Sequence, residues 1–213
     1  MGTISKGILG PISGKVGTVV GSSWKGIDYI RSKSTRRKGF SARQRDQQFR
    51  FSAAINFVST MNDLLDITFK RYALKKSGSN AALSYTMLHA ITGTSPDYQV
   101  DFAKALVSHG KLPNASAPAA TVTGKAIHFT WTDNSGSGKA AATDNAVLVA
   151  YCKNYNQTIY TTMSAVRSAK AAVLDVSNFA GFEAEVWIAF LSADGLEASN
   201  SIYLGGLMVS CEW

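Results

Sequence analysis

Apolar residues recur at helical spacing over one long stretch of the chain: Phe51, Ala54, Ile55, Val58, Met61, Leu65, Phe69 and Tyr72. Arg45, Gln48, Ser52, Asn56, Asp63 and Asp66 fill the opposite face. Steps of three and four place one apolar stripe along an α-helix and turn it toward a core. Ser41-Ala42-Arg43-Gln44 reads as a capping box, in which serine and glutamine side chains satisfy free backbone amides at the helix start. The helix is expected to run from Ser41 to about Ala73, with Lys70, Arg71, Lys75 and Lys76 at the negative end of its dipole. A Ser77-Gly78-Ser79 turn leads to Asn80, a good N-cap, and to a shorter helix over 81–91 that Gly93 stops. The two helices read as an antiparallel pair. Residues 98–102 and 105–107 read as short strands.

The pattern changes on both sides of this pair. Toward the N-terminus, glycines alternate with valines, isoleucines and aromatics, a mixture that favours extended backbone broken by turns. Two short strands are expected, over 15–20 and 26–31, joined by Gly21-Ser22-Ser23. An isolated hairpin is marginal in water, so Val16, Val19, Val20, Trp24, Ile27, Tyr29 and Ile30 are the residues expected to lie on another surface, in this subunit or a neighbour. Residues 113–120, PNASAPAA, are small and contain two prolines, which reads as a linker. Beyond it the period becomes two. Ile127, Phe129 and Trp131 share one face of a strand over 126–132, opposite His128 and Thr130. Further strands are expected over 146–152, 158–163, 171–176, 183–192, 200–204 and 207–211. The expected fold class is α+β: glycine-rich N-terminal strands and a helical pair, then a C-terminal antiparallel β-sandwich. The boundaries are an arm over 1–40, the helical pair with short strands over 41–112, a linker over 113–120 and the sandwich over 121–213.

Charge sharpens the role of the arm. The formal net charge is +8. Residues 1–50 hold eleven Lys and Arg against Asp28 and Asp46, a balance of +9; from Thr121 onward five bases face eight acids, a balance of −3. The basic run 31–39 contains Arg31, Lys33, Arg36, Arg37 and Lys38, and Arg43, Arg45 and Arg50 follow on the first turns of the long helix. These eight cations are the candidate contacts for a polyanion or an acidic neighbour. Trp24 and Tyr29 would stack on bases if that polyanion were single-stranded nucleic acid, and would pack in an intersubunit core otherwise.

Phe129-Thr130-Trp131, the run Glu183–Phe190, the Ala193-Asp194-Gly195 turn and Ser201-Ile202-Tyr203-Leu204 resemble a fibronectin type III or immunoglobulin-like domain. Trp187 departs from it, standing where a tyrosine is expected. This resemblance covers roughly 121–213 and implies architecture only. A second one spans nearly the whole chain. Gly14-Lys15-Val16-Gly17-Thr18-Val19-Val20-Gly21-Ser22-Ser23-Trp24-Lys25-Gly26, with Phe129–Ser135 and Ser192–Gly195, resembles an uncharacterised family common in Bacteroidetes. That family has no assigned activity, so the resemblance implies no site residues.

Catalytic signatures are weak. Gly10–Val16 has one residue too few between its glycines for a phosphate loop, and Val16 stands where a metal-binding Ser or Thr is needed. His89, His109 and His128 have no metal-ligand spacing, and nothing local marks a nucleophile. Cys152 and Cys211 read as two small buried hydrophobes, with a disulfide as the alternative. No signal peptide and no 18-residue apolar span are visible, so cytoplasmic synthesis without a membrane span is expected. The expected function is therefore non-enzymatic and cofactor-free: a structural protein that assembles with copies of itself through the arm, as a virion component, particle or filament. The alternatives are a DNA- or RNA-binding protein using the basic arm, and a surface adhesion module.

Overall fold

The computed structural model describes residues 2–4, 7, 10–35 and 39–210 of the chain. Arg36, Arg37 and Lys38 of the basic run, and Cys211, lie outside the described residues. The fold is mixed α+β and divides into two compact units, residues 1–42 and 43–213.

The first unit is an antiparallel sheet in the order β1 (Thr3–Ile4), β2 (Ile12–Val16), β3 (Val19–Trp24) and β4 (Ile27–Ser32). The expected pair of strands over 15–20 and 26–31 is corrected here. Gly17-Thr18 and Lys25-Gly26 make the turns, and Gly21-Ser22-Ser23 lies inside β3. Lys25 (φ +50°) and Gly26 (φ +79°) are both left-handed, the combination of a type I′ turn, whose twist matches that of the strands it joins. Gly21 serves closeness rather than turning: a Cβ there would stand 1.9 Å from the Ile12 carbonyl oxygen.

The second unit opens with α1 (Ala42–Val58), directly after Ser41 as its sequence predicts. The single long helix is corrected to two α-helices, each followed by a 3₁₀ turn, the second of these at Lys70–Tyr72. A one-turn 3₁₀ stretch, Ser59–Met61, separates α1 from α2 (Asn62–Thr68). Ser59 and Thr60 hydroxyls donate back to the Asn56 and Phe57 carbonyls, and such local bonds compete with the α-helical ladder. The next helix, α3 (Gly78–His89), is capped by Ser77, whose Oγ accepts from the Asn80 N–H at 3.2 Å; Asn80 is not the cap. It ends at His89 rather than Ile91, because Ile91 begins a hairpin of β5 (Ile91–Thr94) and β6 (Asp97–Val100). The strand expected over 105–107 is absent: residues 103–108 run as turn and coil.

The segment read as a linker also forms a strand, β7 (Ser116–Thr123), which pairs with β8 (Ala126–Thr132). Pro118 and the small alanines argued against a strand. An edge strand tolerates a proline because its outward amide has no ladder partner to lose, and β7 is the edge of the sheet β11-β8-β7, with β11 at Ala171–Asp175. The other sheet runs β10-β9-β12-β13, from β9 (Asn145–Cys152), β10 (Gln157–Thr161), β12 (Glu183–Leu191) and β13 (Ile202–Met208). The two strands expected over 200–204 and 207–211 are one. Its Gly205-Gly206 pair is absorbed by a bulge, where pairing jumps from Trp187↔Tyr203 to Val186↔Gly205.

Strands β9 and β12 are buried on both faces. Val147, Val149, Tyr151, Trp187, Ala189 and Leu191 join the helical residues Phe57, Met61, Leu64, Leu65 and Phe69 in one apolar cluster. The alternate residues Ala146, Leu148, Ala150, Val186, Ile188 and Phe190 join Ile127, Phe129, Trp131 and Leu174 of the other sheet in a second. A two-residue side-chain period in a strand covered on both sides produces such an unbroken apolar run.

Candidate assembly surface and clefts

In the N-terminal sheet, residues paired directly across strands share a face. The register Ile4↔Ile12, Val16↔Val19 and Gly21↔Ile30 gathers Ile4, Ile12, Val16, Val19 and Ile30 on one face, around Gly14 and Gly21. The other face carries Lys15, Val20 and Arg31 in one row, Ser22 and Tyr29 in the next, and Trp24 beside Ile27 at the tip. Gly21 is the only buried residue among the described ones here. Trp24, Ile27 and Ile30 are 53%, 64% and 58% exposed, Val16 and Tyr29 are also exposed, and Val19 and Val20 are half-buried. All seven arm residues singled out by the sequence therefore fall in this sheet, on two faces rather than one.

The described cations do not form one row. Arg31 stands on the Trp24 face, and the Lys33 N–H donates to the Thr18 carbonyl. Arg43 and Arg45 are exposed on α1. Arg50 is half-buried, its guanidinium 5.4 Å from the centre of the Tyr98 ring. The Tyr98 hydroxyl donates to Asp46 Oδ1 at 2.6 Å, and that bond holds its pKa above the ordinary value.

Three clefts lined by described residues open in the second unit. The largest, about 620 Å³, is lined by Lys70, Arg71, Lys139, Asp144, Asp194 and Glu197. Glu197 Oε1 accepts from Lys139 at 2.8 Å and also from Arg71. The Lys139 bond, then the Arg71 bond, hold the Glu197 carboxyl below its ordinary pKa. A depressed folded value means that these ties are fully present above the unfolded value near about 4.3 and are lost as pH falls through the folded one. A carboxyl-detected NMR titration is expected to place the Glu197 midpoint below those of unpaired glutamates, and Lys139→Met to move it back up.

The second cleft, about 350 Å³, has Phe57, Phe102 and Tyr151 as its floor and Asn56, Gln99 and Asn156 at its rim. The third, about 210 Å³, brings together Tyr72, Tyr85, His89 and His109. The His109 ring stacks on Tyr72 at 3.9 Å between centroids. Asn200 Oδ1 lies 2.8 Å from His109 Nδ1 and accepts the Gly110 N–H at 3.1 Å, so Nδ1 carries the donated proton. Tyr85 and His89 are i, i+4 neighbours on α3, but sequence spacing gave no hint that His109 joins them from a distant coil. Among the described residues no three His, Cys, Asp or Glu side chains gather as a metal set. No described helix is long and apolar enough to cross a membrane.

Sequence reading also missed a buried ion pair. Arg167 and Asp144 side chains are 0% and 2% exposed. Arg167 Nε and Nη2 each lie 3.1 Å from Asp144 Oδ2; Nη2 also donates to the Pro113 carbonyl at 3.1 Å, and Nη1 donates to Asn134 Oδ1 at 2.6 Å. The guanidinium lies 3.8 Å from the Phe190 ring centre, and the Arg167 carbonyl accepts the Trp131 indole N–H at 2.7 Å. Burial lowers the Arg167 pKa, and the Asp144 charge opposes that. All three guanidinium nitrogens are bonded within the fold, so this pair positions the loops around it.

Comparison with known proteins gives one family and several distant structural likenesses. No curated protein matches the chain. Among solved structures, half of the chain (50%) superposes on 92% of the fibronectin type III domain of human collagen alpha-1(XX), with 14% identity and a TM-score of 0.35. The Clostridium perfringens spore cortex lytic enzyme SleM is matched over 45% of this chain and 28% of its own, with 14% identity and a TM-score of 0.29. The Parabacteroides distasonis beta-1,2-glucanase is matched over 50% of this chain and 14% of its own, with 11% identity and a TM-score of 0.32. At such scores none of the three bears on function. A family model matches residues 11–205, and the chain accordingly belongs to DUF6266, a family of unknown function.

Proposed function

We propose that this chain is a structural protein that self-assembles through its N-terminal sheet into a homo-oligomeric particle or filament, such as a virus-like shell, a phage component or a fibre. One observation carries the reading: a four-stranded sheet that buries only Gly21 among its described residues and leaves Trp24, Ile27, Tyr29 and Ile30 in water. Apolar side chains on both faces of a thin sheet gain stability only when another layer covers them. In this reading the second unit is a spacer or display domain of fibronectin type III or immunoglobulin-like sandwich type. Its two apolar clusters give it the means to fold without the arm. No catalytic role is assigned to it.

A second reading is favoured by one arrangement. Lys15 and Arg31 share a face with Trp24 and Tyr29, and cations interleaved with aromatics suit single-stranded DNA or RNA. Deleting residues 1–34 separates the two. Assembly predicts that full-length chain forms large species that persist in high salt, and that the deleted chain is a folded monomer with an unchanged melting transition. Nucleic-acid binding predicts species that carry nucleic acid and collapse as salt rises, because neutralised phosphates release counterions.

A further inference from the structure

We infer that the occupant of the exposed edge of this sheet is the β4 strand of a second copy, paired antiparallel about a two-fold axis with Ile30 opposite Ile30. The inference rests on the assembly reading and adds to it an edge contact, distinct from the contacts that cover the faces.

The outward backbone of β4 follows from its inward pairing. The Lys33 N–H donates to the Thr18 carbonyl at 2.8 Å. Antiparallel partners alternate between hydrogen-bonded and non-bonded pairs, so Arg31↔Val20, Tyr29↔Ser22 and Ile27↔Trp24 are also bonded pairs. The Lys25-Gly26 turn closes on the last of these, as a two-residue hairpin does. Asp28, Ile30 and Ser32 therefore turn their amides and carbonyls away from β3, along an edge with no further strand among the described residues. All six residues of β4 are exposed, no proline or bulge interrupts the edge, and its only charges, Asp28 and Arg31, are of opposite sign.

Side-chain complementarity selects the occupant and the register. Only outward residues can form bonded pairs with outward residues. Placing Ile30 on Ile30 uses all three, with Asp28 opposite Ser32 on either side, and forms about six backbone hydrogen bonds. On the other face Arg31 then stands opposite Tyr29 twice, a cation over a ring, and Lys33 stands opposite Ile27. Every neighbouring register is worse. Tyr29 on Tyr29 leaves Ser32 unpaired and sets Asp28 against Ile30. Arg31 on Arg31, Asp28 on Asp28, and Arg31 on Lys33 each bring like charges together, which destabilises a sheet. The selected pairing sets no like charges directly opposite, the two Arg31 side chains standing one diagonal apart, and joins two four-stranded sheets into one of eight strands, a closed isologous contact.

Cysteine cross-linking in the full-length chain tests this. Ile30→Cys, Tyr29→Cys and Arg31→Cys are each oxidised mildly, beside the parent chain with its own Cys152 and Cys211. In the inferred register the Ile30→Cys thiols are directly opposite. The Tyr29→Cys and Arg31→Cys thiols are each displaced two residues from their own copy, beyond the roughly 7 Å that a disulfide spans. The expected result is covalent dimer for most of the Ile30→Cys chain and only the parent's background for the other two. Dimer from Tyr29→Cys or Arg31→Cys at a comparable yield would overturn the register. Absence of dimer from Ile30→Cys, in a sample whose light scattering still shows an assembly, would overturn edge pairing while leaving assembly intact. A monomeric parent chain would remove both.

Discussion

Replacing Arg167 with methionine is expected to destabilise the second unit by about 3–5 kcal/mol, the usual effect of removing one partner of a buried ion pair. The loss comes chiefly from what remains. Asp144 stays almost fully buried, retaining only the Ala141 N–H at 2.9 Å among its side-chain bonds, and Asn134 Oδ1 and the Pro113 carbonyl lose their donors. Three segments far apart in sequence, near 113, 134 and 144, are held by this one guanidinium. Arg167→Lys is expected to be nearly as damaging, since a single ammonium cannot meet a fork of acceptors at three directions. The double variant Asp144→Leu/Arg167→Met is expected to recover part of the loss, because no uncompensated charge is left in the core. Guanidinium denaturation of the three variants measures this; an Arg167→Met protein as stable as the parent would contradict it.

The second large effect is expected at Trp187. It is fully buried on the helical side of β12, with ring centres 6.0 Å from Phe57, 6.1 Å from Phe102 and 5.4 Å from Tyr203. Trp187→Ala is expected to lose about 3–5 kcal/mol through lost burial and an unfilled cavity. The damage should fall on the helices, because the inter-sheet cluster on the other face of β12 is untouched. Its indole nitrogen has no hydrogen-bond partner among the described residues, so Trp187→Phe is expected to retain much more of the stability, losing volume but no bond. Far-UV circular dichroism during denaturation reads both, and an alanine variant with unaltered helical signal and midpoint would refute the assignment.

Much of this fold was legible because side-chain period follows burial. The strand over 126–132 was visible from Ile127, Phe129 and Trp131, which face one core in alternation. The helical stripe found Ala54, Val58, Met61, Leu65 and Phe69, all buried. It wrongly included Phe51 and Tyr72, which are exposed, and overlooked Phe57 and Leu64; only for Leu64, beyond Val58, does the 3₁₀ turn that shifts the stripe account for the miss. What stayed hidden depended on the tertiary setting. Edge position lets Pro118 lie in a strand, a bulge lets Gly205-Gly206 do so, and Arg167 finds Asp144, Asn134 and Pro113 only once the loops are folded. The departure noted at Trp187 also has its reason here: the residue faces a helical layer and not the space between sheets.

For the arm, Val16, Trp24, Ile27, Tyr29 and Ile30 are exposed and Val19 and Val20 half-buried, while the strands were misplaced. Composition identifies which side chains avoid water, but turn positions depend on φ signs that Lys25 and Gly17 do not announce as strongly as an Asn-Gly pair would. The basic cluster was legible only as charge. Arg50 is half-buried against Tyr98, which linear sequence does not disclose.

We propose that other copies of the chain cover the exposed apolar faces of the N-terminal sheet. Light scattering on the untagged full-length protein, with absorbance at 260 and 280 nm in low and high salt, tests it most directly. The account predicts a mass many times that of the 22.7 kDa chain, with a protein-like absorbance ratio in both salts. A monomer of 22.7 kDa in both, or a large species that holds nucleic acid and falls apart in high salt, would contradict it.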